Sequence, residues 1–404
     1  MINIKDKKNC CGCSACIQRC PKQCIVLTED EEGFLYPKIN LQLCIDCNLC
    51  EKVCPVINPQ PAQTTHTCYA GINQNKTVRL QSSSGGLFTP LAETIIKENG
   101  IVFGACFDEN WEVKHDYTET IEGIANFRGS KYVQSRIEDN YKKAEIYLKE
   151  GRTVLFSGTP CQIAGLKKYL RKEYENLLTV DFICHGVPSP KIWRAYLDTI
   201  CRSFIEKSEK NAISSILTDR GGKFYIEAIN FRNKILGWKK YSFFIKFNST
   251  FIQGGKNTEE FFEPFSENPF MKGFLKNIYL RPSCYNCPSK NGKSRSDITL
   301  ADFWGIQDQY PDWDDDKGTS AIFVNTNKGA IYFDKIQNDN IHYKKVTYND
   351  IVNSNKSYEL SCNEPPYRNL FWKKYIKREE LDDSLFQPTV KDKIILKLKR
   401  HFKL

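Results

Sequence analysis

No run of about 18 apolar residues occurs anywhere in the 404-residue chain, which excludes a transmembrane helix. The first residues, Met1-Ile2-Asn3-Ile4-Lys5, hold no apolar h-region, so no secretory signal is read there and a cytoplasmic location is expected. No G-x-G-x-x-G occurs, which leaves a dinucleotide fold of the usual NAD type unsupported. Without a secretory signal, the 18 cysteines argue for metal ligation in a reducing compartment rather than for disulfides.

Eight of those cysteines form two matching runs. Cys10, Cys13, Cys16 and Cys20 are spaced C-x2-C-x2-C-x3-C and are followed by Pro21; Cys44, Cys47, Cys50 and Cys54 repeat the spacing before Pro55. This is the bacterial pattern for two [4Fe-4S] cubanes, in which the fourth cysteine of each run serves the other cluster. Short gaps let one tight loop present three thiolates to three irons, and the x3-C-P cysteine turns away into the next segment. Cys10, Cys13, Cys16 and Cys54 are therefore expected around one cluster, and Cys44, Cys47, Cys50 and Cys20 around the other. Gly12 suits a loop whose amides approach the sulfides. A pair of zinc knuckles is the competing reading, but zinc sites rarely need four cysteines per run or the C-P ending.

The rest of the chain alternates strands and helices. Residues 24–28 and 33–37 read as short strands around an acidic turn, completing a ferredoxin-like α+β module over 1–57. Residues 58–66 form a polar, proline-bearing linker. From 67 to 325 the pattern is α/β: strands near 69–71, 101–106, 153–156, 178–184, 297–303 and 321–325, and helices over 87–98, 140–150, 160–170, 190–204 and 330–337. A meander with strands at 224–232, 241–247 and 250–253 is inserted. Residues 326–404 are a C-terminal extension ending in a short basic amphipathic helix, 391–404, read as a docking or solvated terminal helix rather than a membrane-surface one.

A second set of cysteines lies in loops. Cys161 joins a strand to a helix, Cys184 leaves the next strand, and Cys284-Tyr285-Asn286-Cys287-Pro288 is a C-x2-C-P knuckle. Convergence of the four would make a third cubane at the strand edge where open α/β sheets bind ligands; buried packing cysteines are the alternative. Cys11, Cys24, Cys68, Cys106, Cys201 and Cys362 lie outside the ligand patterns and are read as packing residues. Ser82, Ser83, Ser84, Gly85 and Gly86 precede a helix and suit a pyrophosphate, though Ser84 could simply be an N-cap. His185 could relay protons or merely bond a carbonyl. Asp302 faces either a site or a turn.

Together Ser82–Gly86, Gly158-Thr159-Pro160-Cys161-Gln162, Cys184-His185-Gly186, Cys284–Cys287 and Asp297–Gly305 resemble the coenzyme F420 hydrogenase/dehydrogenase beta-subunit family, over about residues 1–325. The resemblance implies FAD and makes Cys161, Cys184, Cys284 and Cys287 ligands of a third [4Fe-4S] cluster beside it. Arg128-Gly129-Ser130-Lys131-Tyr132 resembles a family segment near the flavin, which adds Ser130, Lys131 and Tyr132 to the cofactor residues. Lys131 would neutralise phosphate or polarise the ring, unless it is an ordinary surface lysine; Lys131 and His185 are the candidate catalytic residues.

The implied function is an iron–sulfur flavoprotein oxidoreductase passing electrons between clusters, FAD and a deazaflavin or other organic substrate. A ferredoxin-like or other redox partner is expected. Relatives of this form also stand beside polysaccharide-synthesis genes, which adds that setting. The alternative is an electron-transfer subunit serving a partner enzyme. The net charge of +10 counts every cysteine as neutral. Each cluster with its four thiolates carries about −2, so three would lower the balance to roughly +4. No nucleic-acid partner is read from it.

Crossed ligation has a spectroscopic consequence. Cys20→Ala should perturb the same cluster signal as Cys47→Ala and a different one from Cys13→Ala. A Cys20→Ala spectrum that matches Cys13→Ala would make the ligation uncrossed.

Overall fold

The protein was analysed as a computed structural model, which describes residues 1–65, 67–210, 223–250, 256–337 and 340–378, together with Leu381 and Leu385. The duplication in the first 57 residues is also a duplication of backbone. Each cysteine run closes on one helical turn, Ala15–Gln18 and Leu49–Lys52, and the residue ahead of each turn, Ser14 or Asn48, is left-handed at φ 62° and 57°. Between them β1 (Ile25–Glu29) and β2 (Leu35–Ile39) form the expected antiparallel hairpin, with Ile25 opposite Ile39.

The main body is a mixed sheet of eight strands: β3 (Thr67–Asn73), β4 (Ile101–Phe107), β5 (Val113–Thr118), β6 (Val154–Gly158), β7 (Leu177–Phe182), β11 (Ile298–Asp302), β12 (Ser320–Val324) and β13 (Ile341–Val346). Their order is β13-β3-β12-β11-β7-β6-β4-β5. The central four, β11, β7, β6 and β4, run parallel. Their sequences are rich in apolar residues because both faces are covered, and Thr179, Asp181 and Thr299 are the buried polar exceptions on β7 and β11. Phe156 packs with the helices Asn140–Lys149 and Pro160–Leu170 on one face, and Leu155 with Phe88–Lys97 and Asn327–Gln337 on the other.

Between β7 and β11 the chain leaves the sheet. The helix Pro190–Lys210, the antiparallel meander β8 (Lys223–Asn233), β9 (Ser242–Thr250) and β10 (Lys256–Pro264), and the helix Pro269–Leu275 make the inserted portion. Trp193, Phe231, Phe243 and Phe270 form its aromatic centre. The third strand was expected at 250–253 and instead starts at Lys256; residues 251–255 lie outside the described ones. So does the basic helix expected over 391–404. Among the described residues no helix is long and apolar enough to cross a membrane.

Two expected boundaries are corrected. The sheet does not end at 325, because β13 pairs with β3 along its length and forms the edge. The described part of the expected linker, residues 58–65, is tied to the body: Gln63 Nε2 donates to Ser296 O at 2.6 Å and Thr65 Oγ1 to Asn325 Oδ1 at 2.9 Å. The cysteine module is likewise built into the body. Cys11, Cys13, Ala15 and Val53 share a core with Tyr141, Ile163 and Phe156.

The C-terminal helix Arg368–Arg378 clamps the module. Arg368 grips both carboxylate oxygens of Glu32, its Nη1 at 2.7 Å from Oε1, and also donates to Leu280 O and Tyr285 Oη at 3.1 Å. Both partners are nearly inaccessible, at 6% and 10% side-chain exposure. Removing one side of a buried ion pair leaves the other charge stranded, at about 3–5 kcal/mol. Glu32→Leu should therefore lower the denaturant concentration at which the module's visible absorbance is lost. The double change Glu32→Leu with Arg368→Leu should recover most of that loss; a double variant as weak as the single would show that the pair is not the cause.

Candidate functional site

Cys10, Cys13, Cys16 and Cys54 line one cavity with about 380 Å³ of empty space, and Cys20, Cys44, Cys47 and Cys50 line another with about 350 Å³. This is the grouping that crossed ligation requires. Cys11 also borders the first cavity and Cys24 the second, with Cys24 Sγ 3.3 Å from Cys20 Sγ. Among the described residues no three His, Cys, Asp or Glu side chains converge as a single ion would need. A cubane asks for something else, thiolates spread around a void to meet four separate irons. Burial, then the nearby thiols of Cys10 and Cys54, push Cys16 up to about 12. Such a set stays protonated until a metal takes the place of the protons.

Gly12 lines the first cavity and also meets the main body. It is left-handed, at φ +72°, and a Cβ there would stand 2.6 Å from Gln134 Nε2 and 2.8 Å from Arg281 Nη1. The small residue admits the main body beside the cavity. Arg281 is fully buried at this seam. Its Nε donates to Cys10 O at 2.7 Å, Nη1 to Gln134 Oε1 at 2.8 Å, and Nη2 to Leu35 O at 2.9 Å and Cys10 Sγ at 3.5 Å.

The second set of cysteines comes together from three loops at the C-terminal edge of the parallel strands. Cys161 stands in the first turn of the helix that follows β6, Cys184 follows β7, Cys284 lies within the turn Pro282–Asn286 and Cys287 ends it. Their charges reach one another. Burial and then Cys184 and Cys287 push the Cys284 thiol far up; burial and then Cys161 push Cys287 up to about 11. Two further cysteines join them. Cys11 lies close enough to Cys13 and Cys161 to shift their thiols, between the first cavity and this group. Cys362 lies close enough to Cys184 to raise its thiol, and it donates to His185 O. Both were read as packing residues. Lys290 is buried here and donates to the carbonyls of Cys184 and Ser357. It follows Cys287 by three residues, and Arg281 precedes Cys284 by three. That proximity is the only sequence signal for either, and a surface lysine would look the same.

The segments expected at a flavin give a mixed picture. Ser82 Oγ donates to Val78 O at 2.7 Å, Ser84 Oγ to Thr319 O at 2.8 Å, and Gly85 N to Ser320 Oγ at 3.0 Å. A Cβ on Gly85 would be 2.3 Å from Gly71 O, so this glycine admits β3 rather than a phosphate. Asn73 takes up the carbonyls of Gly85 and Gly86. The helix begins only at Phe88. The pyrophosphate cradle expected at Ser82–Gly86 is thus filled by protein contacts. Ser83 does touch the other segment, accepting from Ser130 N at 2.6 Å.

That second segment borders a large cleft with about 1230 Å³ of empty space, lined by Arg128, Gly129, Ser130 and Lys131, by Phe107 and Trp111, and by Glu227–Asn230 of β8. Burial pushes Lys131 down to about 8; its Nζ reaches Arg128 O at 3.2 Å and Gly129 O at 3.3 Å. Tyr132 turns away from the cleft, stacking on Phe274 at 4.7 Å and accepting from Arg232 Nη1 at 3.1 Å. Asp302 is held by Arg232 at 2.9 Å and by Trp238 Nε1 at 2.9 Å, so it neutralises a buried guanidinium. His185 does not line the cleft with Lys131; it bonds Asn277 Oδ1 at 2.6 Å.

Comparison with known proteins follows the same division. A model of the C terminus of the coenzyme F420 hydrogenase/dehydrogenase beta subunit matches residues 151–348, which include Cys161, Cys184, Cys284 and Cys287 but not Ser82–Gly86 or Arg128–Tyr132. A 4Fe-4S dicluster domain matches residues 9–58. Over 52 residues, 13% of this chain, the protein is 36% identical to an uncharacterized ferredoxin of Methanocaldococcus jannaschii, and the match covers 66% of that ferredoxin, just under two thirds. A chain of the F420-reducing [NiFe] hydrogenase complex from Methanosarcina barkeri is similar at 18% identity and a TM-score of 0.43, covering 78% of this chain and 90% of that one. Residues 151–348 thus resemble the C-terminal part of the coenzyme F420 hydrogenase/dehydrogenase beta subunit, behind a match to a 4Fe-4S dicluster domain at residues 9–58.

Proposed function

We propose that this protein is an iron–sulfur flavoprotein oxidoreductase with three [4Fe-4S] clusters and FAD. The gathering of Cys161, Cys184, Cys284 and Cys287 from three loops carries the reading. Lys290 supports it: a buried ammonium bonded only to carbonyls is costly unless an anion lies near, and a thiolate-bound cubane is such an anion. Cys10, Cys13, Cys16 and Cys54 would hold one dicluster cubane and Cys20, Cys44, Cys47 and Cys50 the other. The sites form a series. Cys47 is exposed, with Leu41, Leu43 and Ile45 standing exposed beside it in sequence, which suits the docking of a ferredoxin-like partner. The Cys10 cavity lies deeper, and Cys11 connects it to Cys161.

The cleft beside Lys131 is the fitting place for FAD in size, with Arg128 and Lys131 side by side at one wall and the carboxylates Asp108, Glu109, Asp116 and Glu227 elsewhere in its lining. Bound there, a flavin exchanges electrons singly with clusters and in pairs with an organic substrate, a deazaflavin or another. The chain's own part is to bind and orient: Phe107 and Trp111 give apolar wall, and Lys131 gives a charge that burial holds near its switching point. The filled Ser82–Gly86 segment is the observation that favours the second reading, an electron-transfer subunit without its own substrate site. In either case His185, away from the cleft, positions the Cys184 loop rather than relaying protons to a flavin.

Iron analysis tests the third cluster. The anaerobically loaded chain should hold about twelve irons, and Cys287→Ala about eight. A wild-type chain that stops at eight returns the four cysteines to packing. The cleft has its own test. Lys131 is protonated below its pKa of about 8 and neutral above it, so its attraction for an anion is present at lower pH and lost as pH rises through that value. FAD retained after gel filtration should fall across that range. Lys131→Met should retain little at any pH; a Lys131→Met protein with wild-type flavin content and the same pH profile would move the flavin elsewhere.

A further inference from the structure

We propose that Arg281 sets the reduction potential of the cluster held by Cys10, making it the higher-potential member of the dicluster pair. This rests on the cluster reading above and goes beyond it by naming a residue outside the ligand set that tunes one cluster and not its twin. Four arginines are buried among the described residues: Arg79, Arg232, Arg281 and Arg368. Three of them face a carboxylate, Asp315, Asp302 and Glu32 respectively. Arg281 alone has none. Its contacts are the carbonyls of Cys10 and Leu35, the side-chain oxygen of Gln134 and the sulfur of Cys10.

A fully buried guanidinium without a counter-charge is unfavourable, so the residue implies an anion in reach. The sulfur that its Nη2 touches, that of Cys10, becomes such an anion when it ligates a cluster. Reduction adds one electron to a cluster that is already anionic. A fixed positive charge, and a hydrogen bond to a ligand sulfur, stabilise the reduced form and raise the potential. The guanidinium is immobilised by four contacts and by Tyr36, whose ring centre lies 4.3 Å from it, so this influence does not relax when the charge changes. Among the described residues nothing equivalent lines the other cavity: its positive groups are Lys22 and the Met1 ammonium, both exposed, and the ammonium is paired with Glu51 and Asp46. Arg281 also lies near Cys284, so it stands between the inner dicluster cluster and the third group. A high-potential cluster there would draw electrons from the exposed Cys47 end toward the body of the protein.

The full, anaerobically loaded chain is titrated while each reduced cluster is followed by electron paramagnetic resonance. In Arg281→Met, which keeps the apolar stem, the cluster at Cys10 should move to lower potential. At the wild-type midpoint its reduced-to-oxidised ratio should fall roughly tenfold. The Cys44–Cys47–Cys50 cluster should not move, and Arg281→Lys should restore most of the shift. Arg281→Met with full iron and both midpoints unchanged overturns the proposal and leaves the proposed function standing; a wild-type chain that takes up no cluster at the Cys10 cavity overturns both. Should Arg281→Met lose its iron, the wild-type chain decides. With heavy nitrogen in the arginine guanidinium alone, pulsed resonance should show a nitrogen coupling on one dicluster signal. Its absence from both overturns the proposal.

Discussion

A buried guanidinium with no carboxylate to face is the constraint around which the two halves of this protein are fitted. Arg281 reaches from the loop before Cys284 into the first cysteine run and holds Cys10 and Leu35 by their carbonyls. It can do so only because Gly12 has no side chain and tolerates a left-handed backbone. From the other side, Glu32 of the module is locked to Arg368 of the C-terminal helix. The module is therefore held at the turn of its hairpin, at Glu32 and Leu35, by charges from segments more than 240 residues away in sequence.

The geometry of the sheet determines what that contact connects. Parallel strands β6 and β7 deliver their loops to one edge, so Cys161 and Cys184 emerge side by side. The knuckle Cys284–Cys287 returns to the same edge after the inserted meander. Cys11 then closes the gap to the dicluster cavity. Thiols so buried resist ionisation, and the cations Arg281 and Lys290 are placed where ligation would leave negative charge. The two facts describe one electrostatic design from its two signs.

Charge is treated differently elsewhere in the molecule. Arg232 and Asp302 neutralise each other beneath the Trp238–Trp304 stack, with ring centres 4.7 Å apart, and Asp302 is accordingly removed from solution chemistry. Ser82–Gly86 look like an anion cradle in the sequence and serve in the structure as a close-packed corner between β3 and β12. Small and polar residues suit both purposes, because both need backbone approach and short hydrogen-bonding side chains. The difference lies in what comes to meet them.

The sequence by itself determined whatever depends on neighbours along the chain. The two cysteine runs, the hairpin between them, the helix at Pro160–Leu170 and the apolar central strands were legible, because ligand spacing, proline at a first turn and hydrophobic periodicity act over a few residues. Even the partition of eight cysteines into two groups could be read, since it follows from the geometry of one short loop. Only the tertiary structure decided the rest. It drew β13 into the sheet beyond residue 325, tied 58–65 down, filled the Ser82–Gly86 corner and set Cys11, a core residue, between the first cavity and Cys161. It also chose Arg281 and Lys290 among 58 lysines and arginines. Burial of a charge is a property of which distant segments surround it, and no local pattern of residues records that.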